Sequence, residues 1–263
     1  MEEKKEEEKK AFKLSVSKCK TYKDCKKKYN YSYNIKLPKK EQIYHTFGKF
    51  AHKILEDFHN AYINGSTEKQ SVEMNKAWKS AVAEYSDKLT PDLKKECWDI
   101  FNAYLKKSSK ENMKSFLACE KSFNVHITDE LILNGFIDML KIDDDGVYHV
   151  IDYKTSKSKS FLKKDFFQLI TYAFVLLEED PNIEKVRGSY MMLRHKFELI
   201  SFEFTKKEIL EVKQMYIDYY ENIIQEKEYP ATITKLCDYC DFNEVCDDFL
   251  SQKDDLVCGE KNW

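Results

Sequence analysis

Arginine is nearly missing from this 263-residue chain: of 44 basic residues only Arg187 and Arg194 are arginines, and the rest are lysines. We read no binding chemistry into that bias. Glycine and proline are scarce too, at six and four. Scattered so thinly, the glycines leave no phosphate-cradling loop of the nucleotide-binding kinds. No run of eighteen apolar residues occurs, which excludes a membrane-spanning helix. Neither sign of charge dominates: the net charge is −2 and the pI about 6.4. A uniformly basic surface is therefore excluded, and any polyanion must meet a local patch. Internal repeats and helicase motifs are absent as well.

What is present supports a sizeable core, since 42% of the residues are hydrophobic. The opening "MEEKKEEEKK" mixes both charges and is not a signal peptide; residues 1–10 are expected to form a disordered tail. Eight cysteines without a secretion signal point to a cytoplasmic protein whose thiols serve a metal or catalysis rather than disulfides. Residues 11–263 are expected to form one domain, with 11–35 and 230–263 making a cysteine-bearing subdomain.

Between 41 and 63, Phe47, Phe50, Ala51, Ile54, Leu55 and Phe58 recur at helical spacing. Two more helices are expected over roughly 70–88 and 92–117. After Ala118 the period changes to that of strands: "ACEKSFNVHI", "LILNGFIDMLKI" and "GVYHVIDYKT" are separated by the turns "TDE" and "DDDG". A helix over 163–180 follows, ended by Pro181; then two strands, a long amphipathic helix and an irregular cysteine-rich tail. This order predicts an α/β fold, a mixed sheet with helices on both sides.

Alternation along the strand "VIDYK" puts Asp152 and Lys154 on one face and Tyr153 on the other. Pairing across "DDDG" brings Asp138 toward Asp152. Two carboxylates in one site repel unless something positive lies between them. A hard divalent cation meets that need with oxygen ligands, and the Tyr153 carbonyl offers another oxygen. Lys154 then stands where it can orient a water or stabilise charge on an attacked phosphate. The plain alternative is a surface Asp/Lys pair on a hairpin, worth little.

These residues resemble, in order, the motifs of the PD-(D/E)xK nuclease superfamily and, within it, the RecB-like branch. "GFIDML" is similar to the G-x-x-D strand and "VIDYKTS" to the (D/E)-x-K strand. "QLITY", with Gln168 and Tyr172 on one helix face, resembles the Q-x-x-x-Y motif. "GKFAH", with Gly48 and His52, resembles the G-x-x-x-H helix that supplies a metal-binding histidine. "CEKSF" places Glu120 where the family often has an acid. The resemblance implies a restriction-endonuclease-like fold and a DNA nuclease using Mg²⁺ or Mn²⁺. It assigns catalytic roles to Asp138, Asp152, Lys154, Gln168 and Tyr172, and metal-binding roles to His52, Asp138, Asp152 and Tyr153. His45, His59, His126, His149 and His195 match nothing in it.

"CDYCDFNEVC" holds Cys237, Cys240 and Cys246 at C-x₂-C-x₅-C, which needs a fourth ligand for zinc or an iron–sulfur cluster. Members of the RecB-like branch join one N-terminal and three C-terminal cysteines on a [4Fe–4S] cluster, and Cys25 is the match here. Lys26 stands where the family usually has proline, and Cys19 and Cys258 compete as ligands. Such a clip would tie the two chain ends together. "KKKYNYSY" interleaves lysines with Tyr29, Tyr31 and Tyr33, which suits either stacked single-stranded bases or packing around a cluster. Lysines 154, 157, 159, 163 and 164 form a local basic stretch. The relatives so implied are CRISPR-associated nucleases, exonucleases acting on DNA ends and helicase–nuclease modules. The expected partners are single-stranded DNA ends and, within a larger machine, a helicase, recombination or CRISPR adaptation protein. A non-catalytic nucleic-acid-binding subunit is the alternative of another class.

Overall fold

The structure is a computed structural model that describes residues 11–40, 42–159, 162 and 164–257. The expected tail 1–10, Lys163 and Cys258 lie outside the described residues. The chain divides into two compact units, one of Met1–Lys13 and Gln42–Tyr216, the other of Leu14–Glu41 and Ile217–Trp263. Sequence reading placed the subdomain borders at 35 and 230.

The first unit is a six-stranded mixed sheet with helices on both faces. Its strands are β1 (Phe12–Leu14), β2 (Phe116–Thr128), β3 (Leu131–Ile142), β4 (Tyr148–Lys154), β5 (Lys185–Met192) and β6 (Glu198–Thr205). The order is β1-β3-β4-β5-β6, with β2 also paired to β3. β2, β3 and β4 form an antiparallel meander. β5 runs parallel to β4 and β6 antiparallel to β5. A parallel pair needs a crossover, which α6 (Phe167–Glu179) supplies.

One face carries α3 (Ile43–Ile63), α4 (Gln70–Tyr85) and α5 (Pro91–Ser108). The α3 stripe Phe47, Phe50, Ala51, Ile54, Leu55 and Phe58 is fully buried and shares a cluster with Met139, Ile151, Tyr153 and Met191 of the sheet. Each large side chain buried there contributes about 1.5–3 kcal/mol. On the other face α6 packs so close to β5 that a Cβ at Gly188 would fall 2.8 Å from Leu169 Cβ.

Two helix ends differ from the sequence reading. α5 stops at Ser108 and β2 begins at Phe116, where a helix had been expected to 117. The Ser108 hydroxyl bonds to Leu105 O and Gln70 Oε1, and "SSKEN" supplies no apolar side chain to continue the stripe. α6 begins at Phe167, not 163, with Asp165 Oδ1 accepting from Phe167 N (3.3 Å). Among the described residues no helix is long and apolar enough to cross a membrane.

His59 is structural. Its ring is fully buried, donating from Nδ1 to Leu55 O and accepting at Nε2 from Tyr104 Oη, both at 2.8 Å. Burial pushes its pKa down from 6.5 to about 4, against the help of the Leu55 carbonyl. The folded protein therefore holds a neutral imidazole that the unfolded chain protonates more readily. Stability is full above about pH 6.5 and falls by about 3 kcal/mol as pH drops toward 4. Denaturant melts from pH 7.5 to 4 should show that slope, and a His59→Gln protein should lose its share of it.

The second unit holds α1 (Val16–Asp24), α2 (Lys26–Tyr29) with a π-helical turn at Asn30–Asn34, the second half of α7 (Lys206–Gln225) and α8 (Asp247–Val257). The tail read as irregular thus carries a helix, with Asp247 and Asp248 in its first turn, where the helix dipole favours them. Lys26 pairs with Glu226 (2.5 Å), Lys40 with Glu244 (2.6 Å), and Lys27 with Asp248. Tyr29 is buried and stacks parallel to Tyr229, while Tyr31 packs edge-on against Phe242. Tyr29 and Tyr31 are thus packed within the unit.

Candidate active site

Strand pairing assembles the acids. Met139 faces Ile151 across β3 and β4, so the next step of that register puts Asp138 opposite Asp152. On the other side of β3, Cys119 and Lys121 pair with Met139 and Ile137, so Glu120 falls opposite Asp138. Glu120 is left-handed (φ 45°) in the middle of a strand, a strain of about 1–3 kcal/mol for a residue with a side chain. His52 projects from α3: its Nδ1 lies 3.6 Å from Asp138 Oδ2 and 3.7 Å from Glu120 Oε1. Its Nε2 lies 3.1 Å from the Tyr153 carbonyl, which can only accept, so Nε2–H donates there and Nδ1 is the nitrogen turned toward the acids. Tyr153 also donates its N–H to Asp138 Oδ2 (2.8 Å).

Among the described residues His52, Glu120 and Asp138 are the group whose metal-ligating atoms converge, all within 4.8 Å. Asp152, expected among the ligands, is not one of these three, and the Tyr153 carbonyl, the other expected ligand, lies beside His52. The reason is local: Lys154 Nζ holds Asp152 Oδ2 at 2.5 Å, and the Tyr153 carbonyl is engaged by His52. The charges show what the site lacks. Burial, then the charge of Asp152, pushes the Asp138 carboxyl well above the usual carboxylate range, with His52 working against them. Burial opposes charge on His52, yet Asp138, Glu120 and Asp152 together raise it to about 9. Three acids gathered this tightly call for a positive partner. One imidazole nitrogen and carboxylate oxygens suit a hard divalent cation.

Lys154 sits in a closed polar circuit. It donates to Gln168 Oε1 (3.0 Å), Gln168 Nε2 donates to Tyr172 Oη (2.7 Å), and Tyr172 Oη donates to Asp152 Oδ1 (3.4 Å). Its ammonium also lies over the Tyr190 ring, 5.2 Å from the centroid. Burial works against its charge, but Asp152 outweighs it and holds the ammonium pKa above normal. Gln168 and Tyr172 thus brace Lys154 and Asp152. Gly135 serves the same circuit: a Cβ there would strike the Phe123 ring at 2.7 Å, and that ring packs edge-on against Tyr172.

Sequence reasoning passed over Arg194. It holds Glu96 through Nε (2.6 Å) and Nη2 (3.2 Å), donates from Nη1 to Thr155 O (2.5 Å) and covers the Phe47 ring at 4.0 Å. It fixes the backbone that follows Lys154. The other arginine, Arg187, is likewise tied to Asp143, Asp145 and Glu203. Rarity was the available signal, since a forked donor cannot be replaced by lysine at such sites.

A profile of the PD-(D/E)XK nuclease superfamily matches residues 13–247, a span that includes every residue of this site. The chain belongs to the PD-(D/E)XK nuclease superfamily. Among curated proteins no sequence matches significantly. Two solved structures place this PD-(D/E)XK chain in context. An Eubacterium rectale protein provisionally named an exonuclease is 12% identical with a TM-score of 0.53, over 90% of this chain and 87% of that one. The protein SSO0001 is 17% identical with a TM-score of 0.43, over 93% and 88%. At these identities the first likeness is one of fold.

In the second unit, Cys25, Cys237, Cys240 and Cys246 line one cavity with Tyr31, Phe242 and Phe249. All seven described cysteines are free thiols. The N–H groups of Lys28 (3.4 Å) and Thr232 (3.5 Å) point at Cys25 Sγ, and that of Thr234 (3.4 Å) at Cys237 Sγ. Cys19 does not line this cavity; it is fully buried, which pushes its thiol up to about 12. No three of the described thiols lie mutually within 4.8 Å. Tetrahedral zinc would need sulfurs about 3.8 Å apart, given Zn–S bonds of about 2.3 Å. An apolar, partly enclosed cavity with N–H groups aimed at sulfur suits a larger thiolate-held group.

Proposed function

We propose that this protein is a metal-dependent DNA exonuclease of the RecB-like branch, working on single-stranded or frayed ends, with a [4Fe–4S] cluster on Cys25, Cys237, Cys240 and Cys246. The observation that carries the reading is the convergence of His52, Glu120 and Asp138 beside the Lys154–Asp152 pair. A divalent ion held there supplies Lewis acidity, which makes a water more acidic and shields phosphate charge. The protein's own groups do the rest. Tyr153 orients the His52 ring and the Asp138 carboxylate through its backbone. Lys154, kept cationic by Asp152 and aimed by Gln168, stands next to the acids, where it can orient a water and stabilise charge on the attacked phosphate. The cysteine cluster would fasten the N- and C-terminal segments of the second unit and supplies no step in hydrolysis.

The test is purified protein with end-labelled single-stranded and duplex DNA, in Mg²⁺, Mn²⁺ or EDTA. Metal-dependent shortening from an end is expected; absence of hydrolysis in both metals would overturn the reading and leave a nucleic-acid-binding subunit. A role in spacer processing within a CRISPR adaptation complex is the second reading. It rests on the cysteine layout and would show as activity that requires partner proteins.

A further inference from the structure

The cleft over the metal-binding group is charged unevenly, and this asymmetry bears on how the proposed nuclease meets its substrate. It encloses about 980 Å³ and runs along one stripe of α3, from Tyr44 through His45, Lys49 and His52 to Glu56. The twelve helical steps from Tyr44 to Glu56 span about 18 Å, room for a few nucleotides. On the N-terminal side of His52 the wall is cationic and aromatic. Tyr44 is half exposed and its ring packs edge-on with that of His45 at 4.4 Å. Lys49 is an exposed cation on the same side, and Lys157, also exposed and lining the cleft, follows Thr155, whose hydroxyl lies against Gly48. One helical turn beyond His52 the sign changes. Glu56 and Glu84 line that end, and the cation between them, Lys53, is already given to Asp57 (2.8 Å) and lies 4.0 Å from Glu56. Glu120 adds to the negative side from across the cleft.

Resting on the nuclease reading, we propose that Glu56 and Glu84 close the cleft to polynucleotide. A strand then enters only over Tyr44, His45, Lys49 and Lys157 and ends at the metal-binding group. A continuous strand would have to lay its next phosphates against two carboxylates within a turn of the site, and like charges at such range are repelled strongly enough to change association by an order of magnitude or more. A terminus carries no such phosphates onward. End dependence is thus built from two acids that touch neither metal nor scissile phosphate, and the aromatic step suits unpaired bases.

The experiment compares a linear single-stranded oligonucleotide with the same sequence closed into a circle, for the wild type and for the Glu56→Gln/Glu84→Gln double variant. Hydrolysis is read in Mn²⁺. Binding is read separately in Ca²⁺, as competition of each form against a labelled linear strand. The wild type should cut the linear strand and spare the circle. The double variant should cut the circle on the order of tenfold faster than the wild type does, with linear cutting held within a few-fold. The linear form should also compete better than the circle, and that advantage should shrink in the variant. A wild type that cuts and binds both forms equally would overturn the proposal while leaving the nuclease intact. A variant as strict as the wild type would overturn it too. Failure of all hydrolysis would instead sink the nuclease reading, and the competition would still decide whether a terminus is preferred.

Discussion

A Lys154→Ala protein is expected to lose hydrolysis by roughly 10²–10³-fold, because the group that stabilises charge beside the phosphate is gone. It should also melt early. Asp152 is 2% exposed and has Lys154 as its ionic partner. Removing one member of a fully buried pair costs about 3–5 kcal/mol; with a quarter of the Lys154 side chain exposed, about 2–3 is expected here. For a chain of this size that is a fall in Tm of roughly 4–12 °C. A surface Asp/Lys pair, the plain alternative from sequence, would have been worth little. The two effects can be separated. A Lys154→Met/Asp152→Asn protein removes both charges, and should recover most of the stability with none of the activity. End-labelled DNA assays and thermal melts on the same preparations check this. Activity near wild type in Lys154→Ala would refute the assignment of the site.

The second large effect concerns the thiol cavity. A Cys25→Ala protein should be purified without iron or visible absorbance and in low soluble yield, whereas Cys19→Ala should keep both. Cys25 and Cys237 are 212 positions apart in sequence, and both line the one cavity. Closing a loop of that length removes about 5 kcal/mol of unfolded-state entropy by the cross-link relation. Besides the cavity, the two segments of the second unit are held by exposed ion pairs, worth little each, and by the packing of Tyr29 on Tyr229 and Tyr31 on Phe242. Iron analysis and the absorbance spectrum are the measurements. An intact spectrum in Cys25→Ala would remove Cys25 from the ligand set, and zinc in place of iron would replace the cluster.

Much of the first unit was legible because its elements are long and periodic. The α3 stripe, the three strands of the meander and the run around Asp152 state their period directly, and the acids stand at positions that antiparallel pairing must bring together. Helix ends were less legible. At Ser108 the boundary is fixed by a hydrogen bond to Gln70, 38 positions away, whose proximity the local pattern does not encode; at Phe167 it is set by Asp165 only two residues before, a local capping signal that sequence reasoning passed over. The short helices of the second unit offered too few turns for a period to show. Arg194 was missed for a related reason: its partners, Glu96 and Thr155, are 98 and 39 positions away.

By itself the sequence determined the α/β order, the strand carrying Asp152 and Lys154, the helix carrying His52 and the spacing of the three C-terminal cysteines. These follow from side-chain period and chain connectivity, which are local properties. The tertiary structure decided the rest. It gathered His52, Glu120 and Asp138 into one group and turned Asp152 to Lys154. It used Gln168 and Tyr172 as braces and placed Cys25, not Cys19, in the thiol cavity. Each of these depends on which distant groups compete for the same atom, and that competition is settled only when burial makes an unpartnered charge costly.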